Sequence, residues 1–260
     1  MRMAVAQYFP GDSLVHRFDP RAKVVAVIAL AVGLFLRSSF ASLSVYAAVA
    51  VAGLALSGIP PRWVWRGVRP LVWLIVLTFV VQLLFAPGPS FFSLGPLHLS
   101  SHGLVVAGYL SLRLIVLVTL SLLLTLTTPP IALTDALAWL GRPLRRLRVP
   151  TEELALMVTI ALRFIPTLLQ EVDTIMKAQQ ARGASFTHGG PLRRARALVP
   201  VLVPLFILSF RRADELALAM EARCFVPGAP RTRLHPLRAH SRDAALLVAT
   251  AIAIAIAELV

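Results

Sequence analysis

Two arginines stand out by residue type and spacing. Arg182 closes the run Gln179-Gln180-Ala181-Arg182-Gly183, and Arg223 closes the run Met220-Glu221-Ala222-Arg223-Cys224. In both, a single guanidinium sits between small residues at the end of a long stretch with a mixed polar and apolar face. A guanidinium is permanently charged, and its planar fork matches a carboxylate bidentately. Flanked by Ala181 and Gly183, or by Ala222 and Cys224, it can enter a narrow groove on a partner protein. One such Arg alone is also explained by the helix dipole, with Gly183 as the C-terminal glycine. Two copies in one segment favour the gripping chemistry.

The second unusual stretch is Gln7-Tyr8-Phe9-Pro10-Gly11-Asp12-Ser13-Leu14-Val15-His16-Arg17-Phe18-Asp19-Pro20-Arg21-Ala22-Lys23. Asp19 suits a helix N-cap, Pro20 the first helical position, and Arg21 with Lys23 suit anchors at a membrane surface. These roles leave Pro10, Gly11, Asp12, Ser13, His16 and Arg17 unexplained. Catalytic chemistry finds no support. Acids and hydroxyls do not assemble into a recognisable set, there is no Ser/His or Ser/Lys dyad, and no phosphate loop of Gly-x-x-x-x-Gly-Lys-Ser/Thr form occurs. Cys224 is the only cysteine, which excludes an intramolecular disulfide and a cysteine metal cluster. His98 and His102 stand four apart, but Pro96, Ser100, Ser101 and Gly103 make that stretch a loop rather than a helix face. No metal, cofactor or catalytic residue is expected on this chain. Arg113 and Gln82 are the main strongly polar residues within apolar blocks, and an intramembrane Arg serves either structural pairing or a subunit contact.

The elements that must position these residues follow from composition. Of 260 residues, 58% are hydrophobic and only 15% charged, well below the roughly 25% charged residues of soluble domains. The apolar residues cluster into blocks suited to crossing a bilayer, 22–36, 41–56, 71–86, 103–126 and 244–257. Arg37-Ser38-Ser39 marks a tight hairpin between the first two, and Trp63, Trp65 and Trp73 suit interfacial positions. The N-terminus reads as lacking a signal peptide, because Gly11, Asp12 and Asp19 precede any apolar run.

The net charge is +14, from 26 Lys and Arg against 12 Asp and Glu. Seventeen of the basic residues fall between Arg142 and Arg242, whereas 87–102 has none. This is the asymmetry of cytoplasmic and external loops rather than a nucleic-acid surface, since aromatic residues do not interleave with the basic ones. The N-terminus, the second connection and the late basic segment are therefore expected in the cytoplasm. Within that segment, Thr134–Leu147 reads as a short helix with Asp135 near its start and Arg145, Arg146 and Arg148 at its end. Thr151–Arg182 reads as a long helix with Thr151 as N-cap, an apolar stripe from Leu154 to Ile175 and a kink at Pro166. Pro191–Arg223 reads as a second long helix, broken at Pro200 and Pro204, with 198–210 apolar enough for the membrane interface. The fold class is all-α: a polytopic membrane protein of about five transmembrane helices with a cytoplasmic helical coupling region before the last span. The expected regions are 1–127 (four spans), 128–242 (coupling helices) and 243–260 (the last span).

The stretch from Pro10 to Lys23 closely resembles the N-terminal signature of the transmembrane (T) component of energy-coupling factor transporters, Pro-Gly-x-Ser-x-x-His-Arg-Leu-Asp-Pro-Arg-x-Lys, with Phe18 where Leu is common. The two Ala-Arg-Gly signatures of that family fall on Ala181-Arg182-Gly183 and Ala222-Arg223-Cys224. Cys224 is the departure; it is small enough for groove entry but uncomfortable in a left-handed cap. The resemblance implies a non-catalytic subunit of an ATP-driven importer in the inner membrane. It joins two cytoplasmic ABC ATPases, which bind ATP and Mg, to a small membrane subunit that binds a vitamin. Each Arg-bearing helix would dock in one ATPase. Its alternatives are the T component of a dedicated cobalt or nickel importer and, from other classes, a membrane-embedded enzyme or a self-contained secondary transporter. The last would need repeated halves with broken helices near the midplane.

Overall fold

The computed structural model describes residues 8–85, 90–94, 97–147, 150–184, 186, 190–226, 228–229 and 240–260. Gln7 and Arg148 lie outside the described residues. The all-helical, polytopic class holds. In chain order the helices are α1 (Pro20–Leu36), α2 (Phe40–Ser57), α3 (Pro61–Val68), α4 (Val72–Phe85), α5 (Ser101–Thr127), α6 (Pro130–Leu140), α7 (Thr151–Ala181), α8 (Pro191–Ala222) and α9 (Ser241–Leu259). Short 3-10 turns at Arg69–Leu71 and Arg142–Leu147 follow α3 and α6. Between α4 and α5, where a loop is expected, Ser90–Leu94 (β1) pairs antiparallel with Leu97–Ser100 (β2). Residue 98 lies on β2 and His102 in the first turn of α5, so the two histidines belong to different elements.

The chain divides into two compact units, Met1–Trp139 with His235–Val260, and Leu140–Leu234. In the first unit α1, α2, α5 and α9 pack around a core of Leu30, Leu34, Leu43, Tyr46, Val116 and Leu120, with Ala257 of α9 fully buried. Small residues allow the close approaches. A Cβ on Gly33 would come within 2.5 Å of the Tyr46 hydroxyl, and one on Gly67 within 2.4 Å of Leu122. Ser39 caps α2, its Oγ accepting from the Ala41 N–H at 3.2 Å. This matches the hairpin expected at Arg37-Ser38-Ser39. Trp65 and Trp73 are exposed, as interfacial residues should be.

Four helical segments are long and apolar enough to cross a membrane: Phe40–Ser57, Pro61–Phe85, His102–Thr127 and Thr151–Ala181. Three coincide with expected spans. The fourth is α7, expected outside the bilayer, whose apolar residues give a stretch of it span-like hydropathy. Two expected spans fall short by the same measure. Helix α1 has 17 residues, about 25 Å of rise, and α9 carries Arg242, Asp243 and Glu258. Both are nonetheless packed into the bundle, as the burial of Leu30, Leu34 and Ala257 shows.

Three local expectations change. Helix α6 starts at Pro130, four residues early, because Pro130 sets the φ of a first helical turn, and it ends before Gly141 and Pro143. Thr151 is the first residue of α7 rather than its cap. Pro150 takes the cap position without a side-chain hydrogen bond, and Thr151 is buried. Glu152 and Glu153 do occupy the first turn. Helix α8 runs unbroken through Pro200 and Pro204, as α7 does through Pro166.

Candidate functional site: twin arginine caps and an N-terminal tie

Helices α7 and α8 end in the same geometry. Arg182 is the last residue before α7 turns, with φ −87° and ψ 9°; Arg223 holds the same place on α8, with φ −95° and ψ 16°. The next residue is left-handed in both: Gly183 at φ 87° and Cys224 at φ 57°. Gly183 N–H donates to Gln180 O at 2.9 Å and Ala184 N–H to Gln179 O at 2.9 Å. Likewise, Cys224 N–H donates to Glu221 O at 2.8 Å and Phe225 N–H to Met220 O at 3.0 Å. These paired bonds satisfy the last carbonyls of each helix with backbone donors, the Schellman arrangement. Neither guanidinium is therefore needed as a cap, and both Arg182 and Arg223 are exposed. Cys224 adopts the left-handed turn that its side chain disfavours, the only described non-glycine residue with positive φ. Cys224→Gly should therefore stabilise the protein by about 1 kcal/mol, read as a higher thermal midpoint in detergent with partner binding unchanged.

Among the described residues, one ion pair joins the two helices. The Arg212 guanidinium donates to the Glu171 carboxylate, and Arg212 also lies over the Phe164 ring, 5.6 Å from its centroid. Glu171 precedes Arg182 by eleven residues, and Arg212 precedes Arg223 by eleven. The pair thus sits at the root of two equal helical arms, each roughly 16 Å long. The apolar stripe of α7 changes between Val158 and Ile165, ahead of this pair: Leu154 and Val158 are exposed, whereas Ile165, Leu168, Val172 and Ile175, on either side of Glu171, are half-buried. On α8, Val199, Val203, Phe206, Ile207 and Phe210 are all more than half exposed, a patch large enough to require a covering partner or lipid. Glu171→Arg should cost roughly 1–3 kcal/mol by removing a charged hydrogen bond. The swap Glu171→Arg with Arg212→Glu should recover most of it in thermal unfolding.

The N-terminal signature forms a tie between helix ends in the first unit. Asp19 caps α1, its Oδ1 accepting from the Arg21 N–H at 2.8 Å, as the sequence indicates. The Asp19 N–H donates to Asp243 Oδ1 on α9 at 2.7 Å, and Asp243 Oδ2 accepts from the His240 N–H at 2.7 Å. Ser13 Oγ and His16 Nδ1 share a hydrogen bond of 2.7 Å, and His16 Nε2 and Phe9 O another of 3.0 Å. Phe9 N–H donates to Leu126 O near the end of α5 at 3.0 Å. A Cβ on Gly11 would meet the His16 ring at 3.2 Å, so glycine there lets the turn close over the imidazole.

Lys23 corrects the sequence reading. It is not a surface anchor: it is 5% exposed, and its Nζ donates to His16 O at 3.2 Å and Thr127 O at 3.1 Å. Arg21 stacks over Trp139 at 5.1 Å. Pro10, Asp12 and Arg17 are exposed. Sequence reasoning missed Asp243, whose partner lies 224 residues away; its place in the first turn of α9 was the available signal. Arg113 is a structural residue of the bundle. Its Nη2 donates to Leu34 O at 2.6 Å near the end of α1, and its guanidinium covers Phe35 at 4.0 Å.

A helical bundle tied at one end by buried polar contacts, and two paired helices that end in exposed arginines, define an all-α polytopic membrane protein. The family model described as "Cobalt transport protein" (CbiQ) matches residues 11–234. A relative from Thermosediminibacter oceani, "Energy-coupling factor transporter transmembrane protein EcfT", is 51% identical, over 95% of this chain and 94% of its own length. Proteins of the same name from Acidaminococcus fermentans and Bacillus subtilis are 47% and 41% identical, over 93% and 95% of this chain and 90% and 93% of their own lengths. The chain belongs to this family of energy-coupling factor transporter transmembrane components.

Proposed function

We propose that the chain transmits the ATP-driven motion of two cytoplasmic ABC ATPases to a small membrane substrate-binding subunit that imports a vitamin. The observation that carries this reading is the pair of matching caps on α7 and α8. Each leaves one guanidinium outside its helix's own hydrogen bonding, at the end of an arm of the same length. Two equivalent grips suit two similar partners. Catalysis stays with the ATPases, which hold ATP and Mg, and this chain is non-catalytic. The tie around Lys23 and Asp243 suits a rigid membrane part against which the arms can work. The distribution of basic residues supports an inner-membrane location, with the N-terminus and α7–α8 on the cytoplasmic side.

A dedicated cobalt or nickel importer is the second reading, favoured by the description of the family model. The shared name of the full-length relatives supports the general module instead. Co-purification distinguishes coupling from other roles. The tagged chain is expected to bring down two ATPase chains and one small membrane protein. Recovery of the chain alone, still active in uptake, would overturn the assignment.

A further inference from the structure

The first unit contains a cavity that the coupling role does not use. Its volume is about 570 Å³, within the usual range of ligand sites, roughly 300–1,000 Å³. The walls come from four helix ends: residues 23–30 of α1, 49–56 of α2, 120–127 of α5 and 242–250 of α9, with Leu14, Val15 and Phe18 closing one side. Each helix contributes about two turns, so the cavity runs roughly 10 Å along the bundle. The lining is aliphatic except for Lys23, Arg242, Thr127 and Thr250, apart from the rim aromatic Phe18. Both threonine hydroxyls are spent on their own helices, donating to Leu123 O at 2.7 Å and Leu246 O at 2.8 Å. Among the described residues, no acidic residue lines it.

The two cations lie at the same end, in the first turns of α1 and α9, which the Asp19–Asp243 hydrogen bond holds together. Lys23 spends two donors on carbonyls and retains a third. Arg242 is exposed and makes no hydrogen bond or ion pair among the described residues. The nearby carboxylates of Asp19 and Asp243 are hydrogen-bonded to backbone N–H groups and do not line the cavity.

A cationic mouth on an aliphatic slot is complementary to an anionic head on a hydrocarbon tail. We propose that this cavity holds one acyl chain of an anionic phospholipid, with its phosphate at Arg242 and Lys23. The site is independent of the partners taken by α7 and α8. It fills a gap among the helices that form the bundle's fixed end, so the lipid acts as a packing element of that end.

The test uses the full chain purified in detergent. Native mass spectrometry would compare phosphatidylglycerol with phosphatidylcholine carrying the same acyl chains. Retention of phosphatidylglycerol should be about fivefold higher, the effect of one basic residue near an anionic head. Arg242→Gln, at an exposed position, should lower that preference, with the remainder resting on Lys23. Ala249→Phe, which fills the open side of the slot, should lower retention of both, with an unchanged thermal midpoint confirming the fold. A photoreactive acyl-chain analogue of phosphatidylglycerol should label the four helix ends in the wild type and miss them in Ala249→Phe. Equal retention of both lipids in the wild type, or labelling unaffected by Ala249→Phe, would overturn the proposal. So would occupation of the cavity by a co-purified protein segment in place of lipid.

Discussion

Replacing Arg182 and Arg223 together by glutamate is expected to leave the protein in the membrane and abolish its association with ATPase subunits. The hydrogen bonds that end α7 and α8 are backbone bonds among residues 179–184 and 220–225, so neither helix depends on its arginine for termination. Both side chains are exposed in the isolated chain, and the substitutions open no cavity. The effect should therefore fall on binding. Reversing the charge at a desolvated arginine–carboxylate contact costs at least the 2–5 kcal/mol typical of removing one partner, about 30- to 5,000-fold per contact. Because the contacts sit on one rigid pair of helices, the first raises the effective concentration of the second. Either single substitution should thus retain partial ATPase recovery, whereas the double variant should recover none and support no uptake. The check is ATPase co-purification alongside membrane-fraction yield. Full ATPase recovery by the double variant would remove the basis of the coupling assignment.

The arginines were legible from sequence because their signals are local. Ala-Arg-Gly after an amphipathic stretch specifies where the helix stops and which residue turns left-handed. At Cys224 the left-handed turn forms without glycine, held by two backbone hydrogen bonds against the discomfort the sequence indicates. Hydrophobic block lengths located the spans to within a few residues. They do not decide the place of α7, because hydropathy cannot separate a lipid-facing stripe from one that packs on protein. The long-range parts were not legible. Nothing in the sequence sets the register of α9 against α1, so neither the Asp243 contact nor the burial of Lys23 follows from the signature. A lysine after Asp-Pro-Arg reads as a surface anchor until the ends of α1 and α5 are known to meet over it. The equal arms are partly visible in the sequence, as matching eleven-residue intervals, but only the observed Glu171–Arg212 pair shows where to begin counting.

The largest loss of stability from one substitution is expected at Asp243. Its carboxylate is 5% exposed and accepts two backbone N–H groups at 2.7 Å, one from each of two segments separated in sequence by most of the chain. Bonds to a charged acceptor are worth roughly 1.5–3 kcal/mol each, and the alanine variant removes both. It also takes a negative charge from beside the buried ammonium of Lys23, whose remaining contacts are neutral carbonyls. Asp243→Ala should therefore cost about 3–5 kcal/mol and loosen α9 from α1. The expected readouts are a lower thermal midpoint and protease cleavage near residue 240. Asp243→Asn keeps one carbonyl acceptor, so it should lose about half as much. Ser241→Ala, on the exposed side of the same turn, should fall within roughly 0.5 kcal/mol of the wild type. The order alanine, asparagine, control separates loss of the tie from general fraying of the helix end, because fraying would affect Ser241→Ala comparably. If the tie is the fixed end against which the coupling arms work, Asp243→Ala should lower uptake while ATPase recovery through Arg182 and Arg223 persists. That combination is the reverse of the result for the double-arginine variant with respect to ATPase binding, and measuring both variants side by side assigns binding to the caps and rigidity to the tie.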